Sequence, residues 1–327
     1  MAQHSKLTDS RIMRLLSGRN NRQGLWIFPL IIAMAGALWL SFNTEEFTTA
    51  ENLTNLVAQA MPLIIVAIGQ MFVVLLGGLD LSVGAVISLT TAILAMDGHP
   101  LLLFCLVFAA AITVGLVNGF TVSRLNVNPI IATLATQMIV MGITRFIRPV
   151  AGGNVPELVI ASVNGSFLGI PLPVFWGVFV IALAWKLAYG SRYGLHLFAI
   201  GGGAAAGRED AADTFGINSK RTIMLAFVLC SCFAALAGIF LAGRIVSGDP
   251  NVGPPFALDA ITAVALGGTQ LSGGIGSLHG TIIGAVLMAL LSNGMNLASL
   301  SAFVQTAIKG FILLVVVALQ SRKKMGL

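Results

Sequence analysis

Two acids lie in stretches too apolar to hydrate them, and they are the strongest candidates for chemistry in this 327-residue chain. Asp80 sits in Leu76-Gly77-Gly78-Leu79-Asp80-Leu81-Ser82-Val83-Gly84, and Asp259 in Phe256-Ala257-Leu258-Asp259-Ala260-Ile261. A carboxylate at membrane depth costs about 2.5–3.5 kcal/mol on insertion scales. For Asp80 two readings stand. With Ser82 two residues on, either side chain could cap free amides at the start of a following helix and meet its positive dipole end; alternatively, the carboxylate belongs to a substrate or ion path. Asp259 follows Pro254-Pro255 and is expected in the first turn of a helix, where a negative charge suits the dipole, with a path role as the other reading. Hydrolytic chemistry has no support, because no Ser-His or Asp-Asp pair stands at usable spacing. His99 and His279 lack a second ligand, and Cys105, Cys230 and Cys232 lie inside apolar runs. No catalytic residue, metal site or cofactor is expected.

The stretch around Asp80 has a second copy, Leu266-Gly267-Gly268-Thr269-Gln270-Leu271-Ser272-Gly273-Gly274. Both fit L-G-G-x-x-L-S-x-G, and each interrupts an apolar run long enough to occupy a membrane. Irregular backbone at that depth exposes amides and carbonyls, each costing several kcal/mol unless protein or water satisfies it. A chain that builds the same break twice is expected to be a duplicated transport scaffold with broken helices near a pathway. The candidate path elements are Gly77, Gly78, Asp80, Ser82, Gly84, Asp259, Gly267, Gly268, Gln270, Ser272 and Gly274. Gln270 stands where the first copy has Asp80, so the geometry itself does not require a charge; this favours the cap.

The elements that must position these residues are membrane helices. Charged residues make up 9% of the chain and hydrophobic ones 57%, against about 25% charged in a soluble domain. An all-α polytopic membrane protein is expected. A span needs about 20 apolar residues, which places segments near 25–42, 57–76, 81–96, 100–122, 129–147, 170–189, 222–243, 257–270, 277–292 and 301–320. The third, eighth and ninth are short and abut the Gly-rich breaks. Asn128-Pro129 supplies an N-cap and a first-turn proline for the fifth.

Lys6, Arg11, Arg14, Arg19 and Arg22 precede the first span, and Arg322, Lys323 and Lys324 follow the last. Arg124, Arg192, Arg208, Lys220 and Arg221 fall on the same face, while Glu45, Glu46, Glu51, Asp97, Glu157 and Asp249 fall on the other. The positive-inside rule then puts both termini in the cytoplasm. Arg145, Arg148 and Arg244 are exceptions at far ends of spans, where they could snorkel or line a vestibule. No cleavage site follows the first apolar run, so that span is expected to be retained. The layout is a cytoplasmic segment 1–24, a permease domain 25–320 with a cytoplasmic loop 190–221, and a tail 321–327. Each break follows an even-numbered span, so the repeat is parallel rather than inverted. The net charge of +6 is spread over membrane flanks and forms no nucleic-acid stripe.

Within the cytoplasmic loop, residues 208–216 (Arg-Glu-Asp-Ala-Ala-Asp-Thr-Phe-Gly) can form a two-turn helix. Ala211, Ala212 and Phe215 share one face, Glu209 and Asp210 lie on the acidic one, and Gly216 can end it. Glycines 201–203 would let the chain turn into it. An acidic polar face is repelled by anionic lipid, so the helix is read as a docking element. No G-x-x-x-x-G-K-[ST] occurs anywhere, so ATP-driven transport would need a second polypeptide.

These residues carry a family resemblance. The run 77–85 resembles the signature of permease subunits of bacterial ABC importers for ribose, galactose, xylose and related sugars. Residues 258–264, 266–269, 271–274 and 280–285 resemble that family's C-terminal half, and the likeness runs from about residue 50 to 320. Residues 210–216 are similar to the E-A-A-x-x-x-G pattern by which importer permeases engage their ATPase subunits, with Asp210 in place of Glu. Ala135 stands where the family often has Gly. The resemblance implies a homo- or heterodimeric permease core in membrane lipid, a periplasmic sugar-binding protein and a cytoplasmic ATP-hydrolysing subunit. Its binding protein would carry much of the selectivity. A branched-chain amino-acid or other small-solute permease is the nearest alternative, and an ion-coupled secondary transporter the next.

Overall fold

The computed structural model describes residues 27–205 and 216–319. In chain order the helices are α1 (Ile27–Asn43), α2 (Ala50–Leu75), α3 (Val83–Leu94), α4 (Pro100–Ser123), α5 (Pro129–Ile147), α6 (Glu157–Val163), α7 (Leu172–Tyr189), α8 (Arg192–Ala205), α9 (Ser219–Ile245), α10 (Pro254–Leu266), α11 (Leu278–Leu297) and α12 (Ala302–Leu319). The two-residue strands Ser166–Phe167 and Ile170–Pro171 pair as a hairpin between α6 and α7.

Among the described residues seven helices, α2, α4, α5, α7, α9, α11 and α12, are long and apolar enough to cross a membrane, while the apolar parts of α1, α3 and α10 are shorter. These ten coincide with the ten expected segments, with shifted ends. The second begins earlier than expected because Thr49 caps it, its side chain accepting from the Asn52 amide at 3.2 Å. Asn128 and Pro129 start α5 as read, the Asn128 side chain accepting from the Ile130 amide at 2.9 Å. At 1.5 Å per residue the 12 residues of α3 and the 13 of α10 cover about 18–20 Å, short of the ~30 Å hydrocarbon thickness. Both are half-length helices.

The core is α9 packed against α2, α3 and α4. Glycines make the close contacts: a Cβ at Gly115 or Gly119 of α4 would fall on the backbone of Val228 or Met224 in α9. Between helices in lipid, such backbone approach gains dispersion energy that the hydrophobic effect no longer supplies. α12 differs, since none of its residues is buried and it packs mainly on α10.

The segment leading into α10 is tied along α3. Arg148 donates to the Ala95 carbonyl at 2.6 Å, so this arginine is a structural clamp. Gly152 and Gly248 exchange backbone hydrogen bonds at 2.9 and 3.0 Å. The Asp249 amide donates to Thr91 Oγ1 at 3.1 Å, and the Gly253 amide to Ser88 Oγ at 3.0 Å. At Gly84 a Cβ would meet the Gly253 carbonyl. The chain therefore runs back along α3, and α10 begins beside the start of α3.

Candidate functional site: two helix breaks that meet

The first break is the end of α2. Gly77 takes φ +77°, and its amide donates to the Val74 carbonyl (2.9 Å) while the Gly78 amide donates to the Val73 carbonyl (3.1 Å). This is a Schellman ending, in which a left-handed residue lets the last carbonyls find amides. The second break ends α10 the same way: Gly268 takes φ +83°, donating to the Ala265 carbonyl (3.1 Å), and the Thr269 amide donates to that of Val264 (3.2 Å). The two endings share one geometry but not the expected register. Gly77 corresponds to Gly268, one residue out of step with the sequence repeat. Gly267 serves another purpose, since a Cβ there would fall on the backbone of Gly280 at the α10–α11 crossing.

Beyond the endings the copies diverge. The first runs to α3, with Ser82 at the N-cap position. The second folds into a turn, the Gln270 amide donating to the Ile275 carbonyl (2.8 Å) and the Gly273 amide to that of Gln270 (3.0 Å), before Ser277 caps α11. Ser272 is exposed in that turn, whereas Ser82 is buried.

The two breaks touch. Leu75, the last residue of α2, has its carbonyl oxygen satisfied by the Gly274 amide at 2.9 Å. A Cβ at Gly77 would contact the Ser272 carbonyl at 3.4 Å, and one at Gly273 the Gly77 amide nitrogen at 2.8 Å.

Asp80 is fully buried. Its Oδ1 accepts from the Ser82 amide (2.9 Å) and the Ser82 hydroxyl (2.6 Å), and Ser82 Oγ accepts in turn from Asn118 Nδ2 of α4 (2.9 Å). Asp80 thus organises the N-cap residue of α3, and neither it nor Ser82 makes a side-chain cap bond to that helix's interior amides. Thr133 Oγ1 of α5 accepts from the Leu81 amide at 3.2 Å. Gln70 of α2, with its amide oriented to satisfy both ends, donates to the Asp80 carbonyl (3.1 Å) and accepts from the Asp80 amide (3.0 Å). After the break the chain therefore doubles back beside α2. Among the described residues, Asp80 Oδ2 and Asn118 Oδ1 are buried and meet no hydrogen-bond partner.

Asp259 stands elsewhere. α10 begins at Pro254, so Asp259 lies beyond the first turn, where no acid is found. Its Oδ2 pairs with Lys309 Nζ of α12 at 2.7 Å. The dipole reading gives way to an interhelical ion pair. Sequence reasoning missed Lys309, although a lone lysine inside the apolar run Ala302–Leu319 was a readable signal.

Glycines 201–203 do not form a turn, because α8 runs through them. Glu209, Asp210, Ala211, Ala212 and Phe215 lie outside the described residues. Gly216 has φ +75°, and Asn218 then caps α9.

A polytopic helical bundle with two half-length helices packed at its centre is the architecture of a membrane transport subunit, and the comparisons with known proteins agree. The chain belongs to the family described as branched-chain amino acid transport system / permease component, which matches residues 52–317. It is 35% identical over 307 residues to the ribose import permease protein RbsC of Bacillus subtilis (strain 168), covering 92% of this chain and 91% of that one. To the ribose import permease protein RbsC of Escherichia coli (strain K12) it is 33% identical over 321 residues, covering 94% and 98%. To the galactose/methyl galactoside import permease protein MglC of Salmonella typhimurium (strain LT2) it is 31% identical over 325 residues, covering 92% and 94%. No solved structure matches the chain. The protein is a multi-pass inner-membrane permease subunit, not an enzyme.

Proposed function

We propose that this chain forms the membrane path of an ATP-driven importer for a monosaccharide. The observation that carries the reading is the near full-length likeness to ribose and galactose import permeases. A second permease copy, identical or related, completes the path. A periplasmic binding protein delivers the sugar, and a separate subunit hydrolyses ATP. The meeting breaks with Gly77, Gly78, Asp80, Ser82, Gly84, Gly267, Gly268, Gln270, Ser272 and Gly274 line or support that path, and Asp259 braces α10 beside it. Residues 209–216 dock the ATPase.

The family description favours a second reading, a branched-chain amino acid as cargo. Proteoliposomes holding the permease with its ATPase and binding protein separate the two. We expect ATP-dependent uptake of D-ribose or D-galactose and none of L-leucine; the reverse preference overturns the sugar reading, and uptake without ATP overturns the importer class.

The charge asymmetry supports cytoplasmic termini, with segment 1–24, loop 190–221 and tail 321–327 on the inner side. Reporter fusions at residues 45, 157 and 249 are expected to read periplasmic, and those at 210 and 325 cytoplasmic. A cytoplasmic reading at 249 breaks the C-terminal half of this topology.

A further inference from the structure

α8 reaches the point where the two breaks meet, and it does so with a bare backbone. Gly201 is buried, and a Cβ added there would fall on the Leu75 carbonyl oxygen and lie 3.1 Å from the Gly274 amide nitrogen. These two atoms form the hydrogen bond that joins the breaks, at 2.9 Å. Gly202, one residue on, is exposed, and a Cβ added there would meet nothing within 4 Å.

The rest of α8 holds Gly201 in register. Tyr193, Leu197 and Gly201 recur every fourth residue and so share one face. Tyr193 packs its ring 6.2 Å from Phe72 of α2, and Leu197 is fully buried. Where α7 meets α8, Tyr189 stacks on Phe198 and its hydroxyl accepts from the Leu278 amide at 3.1 Å, at the start of the helix that follows the second break.

We propose that Gly201 is a positioning residue that couples α8 to the two breaks, so that displacement of the segment after α8 reaches the translocation path. This rests on the reading that residues 209–216 dock the ATPase. A helix is a stiff rod, and contact of backbone on backbone leaves no side chain to absorb its movement. When α8 shifts, the Leu75–Gly274 bond must shift or break with it. The hinges of such a device are the left-handed glycines on either side, Gly77 and Gly273.

The matched pair Gly201→Ala and Gly202→Ala tests this. Both changes raise helix propensity equally, and only the first meets the junction. In proteoliposomes with the ATPase and binding protein, three quantities are read: ATPase association, ATP hydrolysis and D-ribose uptake per ATP. Gly202→Ala should match the wild type. Gly201→Ala should keep association, and hydrolysis within twofold, while uptake per ATP falls tenfold or more. Uptake per ATP within twofold of wild type overturns the proposal. So does a proportional fall of uptake and hydrolysis in an assembled complex, because that marks a merely structural contact. Should Gly201→Ala not accumulate, hydrogen exchange in the wild-type complex decides. Exchange at residues 76–82 and 272–276 should differ severalfold between nucleotide-free and vanadate-trapped states, and unchanged exchange there overturns the coupling. The docking reading fails separately, if Ala212→Trp retains full ATPase association and full uptake.

Discussion

Lys309→Leu is expected to destabilise the permease by about 3–5 kcal/mol, while the double variant Asp259→Leu/Lys309→Leu stays close to wild type. The pair is mostly buried, with side-chain exposures of 22% for Lys309 and 14% for Asp259. Removing one partner from such a pair leaves an uncompensated charge, which costs about 3–5 kcal/mol, whereas replacing both by apolar residues is often neutral. Asp259→Leu alone should likewise be harmful, since Lys309 would remain in an apolar helix. Thermal unfolding of the detergent-solubilised protein and its accumulation in the membrane measure both effects. The pair also holds a helix that contributes no buried residue, so single variants should loosen α12 first. Protease access or cysteine labelling of α12 would show it. If the double variant is as unstable as either single one, the ion pair contributes more than mutual neutralisation and this account fails.

Asp80→Leu is expected to abolish uptake, with Asp80→Asn far milder. Leucine would strand the amide and hydroxyl of Ser82, both of which donate to Asp80 Oδ1. A buried donor left unpaired costs about 1–3 kcal/mol. The loss would spread to Asn118, which donates to the same hydroxyl. Asparagine keeps an acceptor oxygen in that position and removes the charge. Sugar uptake within a few-fold of wild type for Asp80→Asn, against a loss of more than tenfold for Asp80→Leu, is the expected result. Should Asp80→Asn abolish transport in a protein that inserts and assembles normally, the carboxylate charge itself acts in the path.

Much of this arrangement is legible in the sequence, and its gaps have physical causes. The L-G-G pattern located both breaks, because a helix that must end in the left-handed region takes glycine there. It could not show the one-residue offset, since each copy offers two adjacent glycines and only packing chooses between them. Gln70, Asn118 and Thr133 are polar residues inside apolar spans, a type that hydrogen-bonds neighbouring helices. Their targets, the Asp80 backbone, Ser82 and the Leu81 amide, are set by tertiary structure. Asp259 was placed a turn too early because Pro254-Pro255 reads as a turn, although proline at the first helical positions starts a helix. Lys309 has no periodic relation to a partner 50 residues away. Glycines 201–203 read as a turn because glycine weakens helices in water. Here Gly201 is kept by what would otherwise collide with it.

The Asp259–Lys309 pair has a consequence for how the protein is made. α10 leaves the ribosome before α12, and the two charges are separated by 50 residues. At about 5–20 residues per second, Asp259 reaches the membrane roughly 3–10 s ahead of its counter-ion. Throughout that interval the half-finished chain displays a bare acid that the completed protein conceals. A truncated or stalled chain that ends before Lys309 keeps that acid unpaired, and the finished chain does not.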